Sequence, residues 1–244
     1  CKYGLDIYGE LKLSELINKI SKIEGVKWIR ILYMYLFEVT DDLILEIKNN
    51  DKVCKYFDVP IQHISDKVLK SMNRHDSSEI IYKNIEKIRK NIDGAVLRTT
   101  VLVGFPGESE DDFNELVESI KKIKFDRLGA YAYSREEGTK SYNFDGQIKE
   151  EEKQRRLEEI YAIQKEISLA KNKERIGKTY EVIVEDISDD EMYFVCRSEY
   201  EAPDVDGRIY VKINEESANK LIVGEYSNVK IVDCDEYDLF AKAI

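Results

Sequence analysis

Apolar residues in the first 135 positions follow two alternating patterns. Short runs of β-branched and aromatic residues are typical of buried strands, and the stretches between them are apolar at every third or fourth position, as in amphipathic helices. This alternation predicts βα units around a parallel sheet, an α/β fold class. The predicted strands are 28–35, 56–61, 95–103 and 127–133, and the predicted helices are 40–49, 77–91 and 109–123.

The pattern changes after Gly177. Residues 147–175 predict a long, highly charged helix, which Gly177 would end. Beyond it, acidic turns separate short apolar runs, which predicts a small antiparallel β-barrel. Its predicted strands are 178–184, 192–196, 208–213 and 227–233. We therefore expect two domains, residues 1–176 and residues 177–244.

The net charge of −11 is concentrated in the second of these domains. Residues 177–244 contain seven Lys and Arg but 17 Asp and Glu, a net charge of −10. Proteins that bind nucleic acids neutralise phosphates with positive charge, so this acidity disfavours tRNA as a partner. It favours a basic protein instead.

The sequence gives no sign of a membrane span or of a metal centre. No run approaches the ~18 apolar residues that cross a bilayer, and the first residues lack the apolar core of a signal peptide, so we expect a cytoplasmic protein. The four cysteines are too far apart to form a thiolate cluster, and we expect no metal ligands in this chain. They are Cys1, Cys54, Cys196 and Cys234.

Glycine and polar residues follow three of the predicted strands. Gly104 and Gly107 lie between the third strand and helix 109–123, Gln62 and Ser65 follow the second strand, and segment 133–139 ends the fourth. The carboxyl ends of parallel strands share one edge of the sheet, where α/β proteins bind ligands. These residues alone predict a ligand site at that edge, with a tight strand-to-helix turn as the alternative for Gly-x-x-Gly.

Four segments, in their order and spacing, resemble the radical S-adenosylmethionine methylthiotransferases. They are YFDVPIQH at 56–63, VLKSMNR at 68–74, VGFPGE at 103–108 and YSREEGT at 133–139. Residues 177–244 resemble the TRAM domain that ends these enzymes. The resemblance implies a partial radical SAM (βα) barrel followed by a small β-barrel, with S-adenosyl-L-methionine and two 4Fe-4S clusters as cofactors of the full-length enzyme.

The cluster ligands of that family do not occur in this sequence. Its complete members carry three cysteines in an N-terminal domain and then a CxxxCxxC motif, and neither is present here. The resemblance therefore implies the C-terminal portion of a longer methylthiotransferase. We expect this chain alone to be inactive.

The resemblance also implies roles for residues at the strand ends. Those expected to contact S-adenosylmethionine, by similarity to the glycine-containing motif of radical SAM enzymes, are Gly104, Phe105, Gly107 and Glu108. Candidates for its methionyl and ribose groups are Gln62, Ser65 and Arg98. The alternative is turn hydrogen bonding for Gln62 and Ser65, and a buried salt bridge for Arg98. No catalytic residue is predicted.

Two branches of this family differ in substrate. One modifies adenosine in tRNA, and the other modifies the β-carbon of an aspartate in a small-subunit ribosomal protein. Segment 197–207 and Arg98 resemble the ribosomal-protein branch, and the acidic barrel agrees with a basic protein substrate. The residues expected to contact that partner are Glu199, Tyr200, Glu201, Asp204 and Asp206.

Three alternatives from other classes remain open. The first is a tRNA methylthiotransferase, which tRNA binding by the barrel would distinguish. The second is a conventional barrel enzyme such as an aldolase, disfavoured because no Lys or metal set lies at the predicted strand ends. The third is a non-catalytic binding module, in which the acidic barrel recruits a basic protein and the α/β part is a scaffold.

Overall fold

The computed structural model describes residues 2–244, so Cys1 lies outside the described residues. The chain forms two compact units, the first ending at Gln164 and the second spanning Lys165–Ile244. The second unit includes the last part of the long helix, which the predicted division at residue 176 assigned to the first domain. None of the described helices is long and apolar enough to span a bilayer.

The first unit contains a three-stranded parallel sheet in the order β1-β2-β3. Its strands are β1 (Tyr56–Asp58), β2 (Val96–Val103) and β3 (Arg127–Ala132). Its helices are α1 (Leu5–Tyr8), α2 (Leu13–Ser21), α3 (Asp41–Asn49), α4 (Asp66–Ser71), α5 (Ser78–Asn91), α6 (Glu110–Ile123) and the first part of α7 (Glu150–Lys173). The alternation of strands and helices confirms the predicted α/β architecture.

Hydroxyl side chains fix the starts of three predicted helices. Thr40 accepts a hydrogen bond from the backbone N–H of Leu43 at α3, and Ser77 accepts one from Ile80 at α5. At α6, Ser109 and Asp112 form a reciprocal capping box. These contacts satisfy N–H groups that have no partner within the helix. The predicted boundaries of all three helices are therefore confirmed to within one residue.

The prediction of a strand at 28–35 is wrong. This segment forms a single bridge, between Ile29 and Val53, before a 3-10 turn at Leu36–Glu38. Tyr33 has a left-handed backbone with φ of 58°, which breaks the extended conformation. Its N–H donates to the side-chain carboxylate of Asp58 at 2.9 Å, and not to a backbone carbonyl of β1. The apolar run is therefore a loop folded over the end of β1.

The second unit contains a closed five-stranded barrel in the order β4-β5-β6-β8-β7. Its elements are β4 (Thr179–Ile187), β5 (Tyr193–Ser198), β6 (Ile209–Lys212), α8 (Glu215–Ala218), β7 (Tyr226–Cys234) and β8 (Leu239–Ala243). The barrel itself was predicted, but its fifth strand, β8, was missed. One feature departs from the antiparallel prediction, because β6 and β8 pair in parallel.

We expect loss of the cap at α6 to destabilise the first unit. Ser109→Ala removes the oxygen that accepts the N–H of Asp112, and should lower the free energy of unfolding by about 1 to 2 kcal/mol. Urea denaturation followed by circular dichroism measures this change. Ser109→Thr retains the hydroxyl and serves as the control, which should stay near the wild-type value. Equal stability of the alanine variant would contradict the role of the cap.

Candidate functional site

The turn between β2 and α6 is held by a buried carboxylate. Glu108 accepts hydrogen bonds from the backbone N–H groups of Gly104 at 2.5 Å and Phe105 at 3.0 Å through one oxygen. Its other oxygen pairs with the Arg156 guanidinium at 2.9 Å. The Glu108 side chain is wholly buried. Because these protein donors occupy both of its oxygens, we interpret Glu108 as a support of the turn.

The two glycines of this turn both have left-handed backbones, and Gly104 is also closely packed. Gly104 has φ of 76°, and a Cβ there would overlap the side chain of Lys153. Lys153 in turn donates to the carbonyl of Tyr133 at the end of β3, at 2.8 Å. Gly107, with φ of 82°, donates its N–H to the carbonyl of Gly146 at 3.0 Å. These contacts favour the tight-turn interpretation of Gly104, whereas Gly107 is exposed at the rim.

Phe105 lies beneath the rim in an aromatic cluster. Its ring meets Tyr133 edge to face, with centroids 5.2 Å apart, and Phe144 in the same way at 6.2 Å. Only 6% of Phe105 is exposed. Edge-to-face pairs add stability beyond the burial of apolar area, so this side chain holds the turn to segment 133–144.

The segment after β1 joins the same edge of the sheet. Gln62 has φ of 66°, and its main chain bonds to β2 through the carbonyl of Thr100 and the N–H of Leu102. Its side chain is half-buried and makes no hydrogen bond within the described chain. Gln62 therefore offers an unused amide at the rim.

Ser65 and His63 connect this segment to the turn after β2. The Ser65 hydroxyl donates to Asp112 on α6 at 2.6 Å, and the Ser65 N–H donates to Nδ1 of His63 at 3.0 Å. His63 is fully buried, and its Nε2 lies 3.9 Å from the Glu108 carboxylate. The predicted residues after β1 and β2 thus share one hydrogen-bonded rim.

Arg98 forms a salt bridge, which was the alternative to a role in cofactor binding. Its guanidinium donates to Asp58 on β1 at 2.8 Å, and these two residues are register partners in the parallel sheet. Asp58 is 1% exposed and also accepts the Tyr33 N–H. The ion pair therefore ties β1, β2 and the loop at 28–35 together, while Arg98 itself stays partly exposed.

Asp112 has the clearest electrostatic perturbation at this edge. Burial alone would raise the pKa of its carboxyl, but hydrogen bonds from Lys67, Ser109 and Ser65 together hold that pKa well below its usual range. The Lys67 ammonium lies 2.5 Å from its carboxylate. Asp112 is therefore ionised, and links α6 to the segment after β1.

Two buried basic residues of α7 were not predicted from the sequence. Lys153 and Arg156 are 5% and 4% exposed, although they lie on a helix whose residues are mostly charged. Their separation of three places them on one helix face, which is the signal that was available. The partner of Arg156 could not be predicted from the sequence, because Glu108 lies 48 residues earlier in the chain.

The acidic segment of the barrel divides into buried and exposed parts. Glu201 is 1% exposed, pairs with Arg175 at 2.5 Å and accepts from the backbone and hydroxyl of Ser198. The prediction that Glu201 lies on a docking surface is therefore wrong, because its carboxylate stabilises the barrel. Asp204 is exposed, and half-buried Asp206 accepts the N–H of Ala202.

Tyr200 and Glu199 are half-buried beside this segment. The Tyr200 ring meets Tyr180 edge to face at 5.5 Å, and the Arg175 guanidinium lies over both rings. Burial raises the pKa of Tyr200 to about 12. Tyr200 is therefore partly committed to the barrel, and Asp204 is the most exposed of the predicted docking residues.

The described residues do not fit an iron–sulfur cluster. Cys54 and Cys196 are buried, and Cys234 is half-buried. Burial raises the pKa of Cys196 to about 12, which keeps this thiol protonated, whereas cluster ligands are thiolates. Within residues 2–244, no group of three His, Cys, Asp or Glu side chains is placed to hold a metal ion.

Each of the two units resembles a known protein family. Residues 7–120 match the sequence profile of the radical SAM superfamily, and residues 176–244 match that of the TRAM domain. The structure of HemN, a radical SAM coproporphyrinogen III oxidase of Escherichia coli, covers 64% of this chain with a TM-score of 0.52. The aligned part is 37% of that chain and 14% identical, so this likeness concerns the fold alone.

Relatives with higher identity extend over almost the whole chain. Ribosomal protein uS12 methylthiotransferase RimO of Clostridium novyi is 51% identical over 237 residues, which are 97% of this chain and 52% of that protein. The RimO proteins of Acetivibrio thermocellus and Clostridioides difficile are each 47% identical, over 99% and 100% of this chain, and it covers 52% and 54% of them. The chain therefore spans about half the length of these relatives.

The chain therefore contains a radical SAM domain and a TRAM domain, and it is similar over almost its whole length to proteins named RimO. The expected fold class, a partial radical SAM barrel with a TRAM barrel, is confirmed. The radical SAM domain implies S-adenosylmethionine and 4Fe-4S chemistry. The rim formed by Gln62, Gly107 and their supporting residues is the candidate cofactor site.

We expect Asp112 to make the first unit sensitive to acid. Because folding lowers the pKa of this carboxyl, its contribution to stability is present above the unfolded value and is lost as the pH falls toward the folded one. Asp112→Asn should therefore reduce the loss of stability between about pH 5 and pH 2. Denaturation midpoints across this range measure it. Asp111→Asn changes an exposed residue of the same helical turn, so it is the control and should keep the wild-type profile.

Proposed function

We propose that this chain supplies the C-terminal portion of an enzyme that adds a methylthio group to the β-carbon of an aspartate in the small-subunit ribosomal protein uS12. The proposal rests on one observation, the similarity of both units together to proteins named uS12 methylthiotransferases. A shared TRAM domain alone would not separate this substrate from tRNA. Identities of 47% to 52% across both units support the ribosomal protein.

The contribution of the first unit is to bind and orient S-adenosylmethionine at the carboxyl edge of its sheet. Bound at a reduced 4Fe-4S cluster, this cofactor supplies the radical chemistry that activates a carbon–hydrogen bond. The described residues fit the polar part of the cofactor, because Gln62 presents an unused amide and Gly107 presents exposed backbone. Two further candidates, Arg98 and Ser65, are each anchored to a carboxylate.

The turn at this edge is stabilised by Glu108, Phe105 and Gly104. Their contacts to Arg156, Tyr133 and Lys153 fix the turn before any ligand binds, which reduces the entropy lost on binding. The cluster ligands are not among the described residues. No step of the reaction is assigned to Cys54, Cys196 or Cys234.

The contribution of the barrel is to attract a basic protein. A net charge of −10 over residues 177–244 raises the local concentration of a positively charged substrate and repels tRNA. Asp204, Asp206 and Glu199 lie at or near the surface of this unit. Within this proposal they act through charge at the rim, where such residues affect association rates more than affinity.

The decisive experiment identifies the product of the full-length protein. After anaerobic reconstitution with iron and sulfide, the enzyme is given S-adenosylmethionine, a reductant and either uS12 or tRNA. We expect mass spectrometry to find a methylthio group on an aspartate of uS12 and none on tRNA. A tRNA product would overturn the substrate assignment, and no product on either would favour a non-catalytic binding module.

A second experiment tests the docking role of the acidic segment. Replacing Asp204 and Asp206 with Asn removes two charges while keeping the oxygen that Ala202 requires. Association with uS12 should slow about twofold to fivefold at low salt and become indistinguishable from wild type at high salt. Stopped-flow fluorescence measures these rates.

The matched control for this variant is the double change of Glu181 and Glu225 to Gln. It removes the same charge from exposed positions elsewhere in the barrel. An equal slowing by both variants would show that only the total charge matters, and an unchanged rate in the first would exclude docking at Asp204.

A further inference from the structure

Three aromatic side chains lie together on the outer face of the barrel. The Tyr210 and Phe240 rings stack with centroids 6.0 Å apart, and Tyr193 meets them edge-on at 5.9 Å and 6.4 Å. They come from β6, β8 and β5, which are adjacent in the barrel. Tyr210 is the register partner of Phe240. We call Tyr193, Tyr210 and Phe240 the aromatic platform.

The barrel core does not need these rings. Their neighbours along the strands, such as Phe194, Val211 and Leu239, are buried and fill the interior. Side chains alternate between the faces of a strand, so the platform residues point outward and remain half-buried. The platform is therefore an apolar surface available to a partner.

One side of the platform is bordered by acidic residues at the end of β4 and in the β4–β5 turn. Together they line an open groove of about 650 Å³ that includes Asp186, Asp189 and Asp190. Hydrogen bonds from Ser188 and from the Met192 N–H lower the pKa of Asp190, so its charge is stable. Asp189 is exposed. Aromatic faces beside carboxylates are suited to bind a cation.

No basic side chain of the described residues fills this place. The cation–π contacts in residues 2–244 lie over other rings, such as Tyr180 and Phe113. Arg208 lines the groove, but its guanidinium pairs with Glu185 at 2.9 Å and with Asp204 at 3.5 Å. The faces of the platform are thus not covered by an internal cation.

The opposite border of the platform has mixed charge. Lys212 and Lys242 lie there together with Glu216 and Asp233. A cation is therefore favoured on the side of the β4–β5 turn, where carboxylates predominate. The same carboxylates disfavour an RNA base stacked on the rings, because its phosphates would approach Asp186, Asp189 and Asp190.

We propose that the aromatic platform and the β4–β5 turn bind an arginine or lysine side chain of a basic protein. Guanidinium or ammonium stacks on the rings while the carboxylates pair with its charge. This inference rests on the proposed function, in which the partner is the ribosomal protein. It adds a site separate from the predicted docking segment at 199–206.

Binding of a labelled Gly/Ser peptide that carries several arginines, measured with the full chain by fluorescence anisotropy, tests the site. A matched peptide with citrulline in place of arginine keeps the shape but removes the charge. Tyr210→Leu keeps apolar area without the ring, and Asp189→Asn removes one rim charge. We expect each variant to bind the arginine peptide about threefold to tenfold more weakly, and the citrulline peptide to bind poorly to all proteins.

Tyr237→Leu is the control, because Tyr237 is exposed in the barrel but does not line the groove. It should bind like wild type, and circular dichroism verifies that every variant is folded. Equal binding of both peptides, or wild-type affinity of Tyr210→Leu, would overturn the site. Tight binding of a single-stranded RNA that Tyr210→Leu abolishes would assign the platform to RNA instead.

The peptide-binding test and the methylthio assay can fail independently of each other. A uS12 product combined with platform variants that bind normally would retain the proposed function and reject the platform. Peptide binding that requires Tyr210, combined with a tRNA product, would retain the platform and reject the substrate assignment.

Discussion

A carboxylate removed from water must recover its lost hydration through donors of the protein, and Glu108 does so completely. Two backbone N–H groups and the Arg156 guanidinium surround it. This requirement fixes the turn after β2, and with it the positions of Gly104 and Phe105. The candidate cofactor edge includes that turn, and His63, with Nε2 3.9 Å from the Glu108 carboxylate, brings the segment after β1 next to it.

Local signals made much of the fold predictable. Capping residues such as Ser109 act within one helical turn, so the boundaries of α6 could be read from the sequence. Long-range contacts could not be read in this way. The run 28–35 has the composition of a strand, but Asp58 captures the N–H of Tyr33, and β8 was missed because five residues with an exposed Lys carry a weak signal.

The site was predictable to a similar degree. Order along the strands placed Gln62 and Gly107 at one edge, since parallel strands end on the same side. The role of each site residue depends on its hydrogen-bond or ion-pair partner, and these partners are distant in sequence. Glu201 carries the same charge as Asp204. Glu201 is nevertheless buried in an ion pair with Arg175, whereas Asp204 is exposed to solvent.

The order of strands in the barrel has a consequence for synthesis. Because β8 inserts between β6 and β7, the four earlier strands leave a gap with two open edges until residues 239–243 are available. Open edges expose unpaired N–H and carbonyl groups that can pair with other chains. During translation, the TRAM domain is therefore prone to aggregation until β8 has been synthesised.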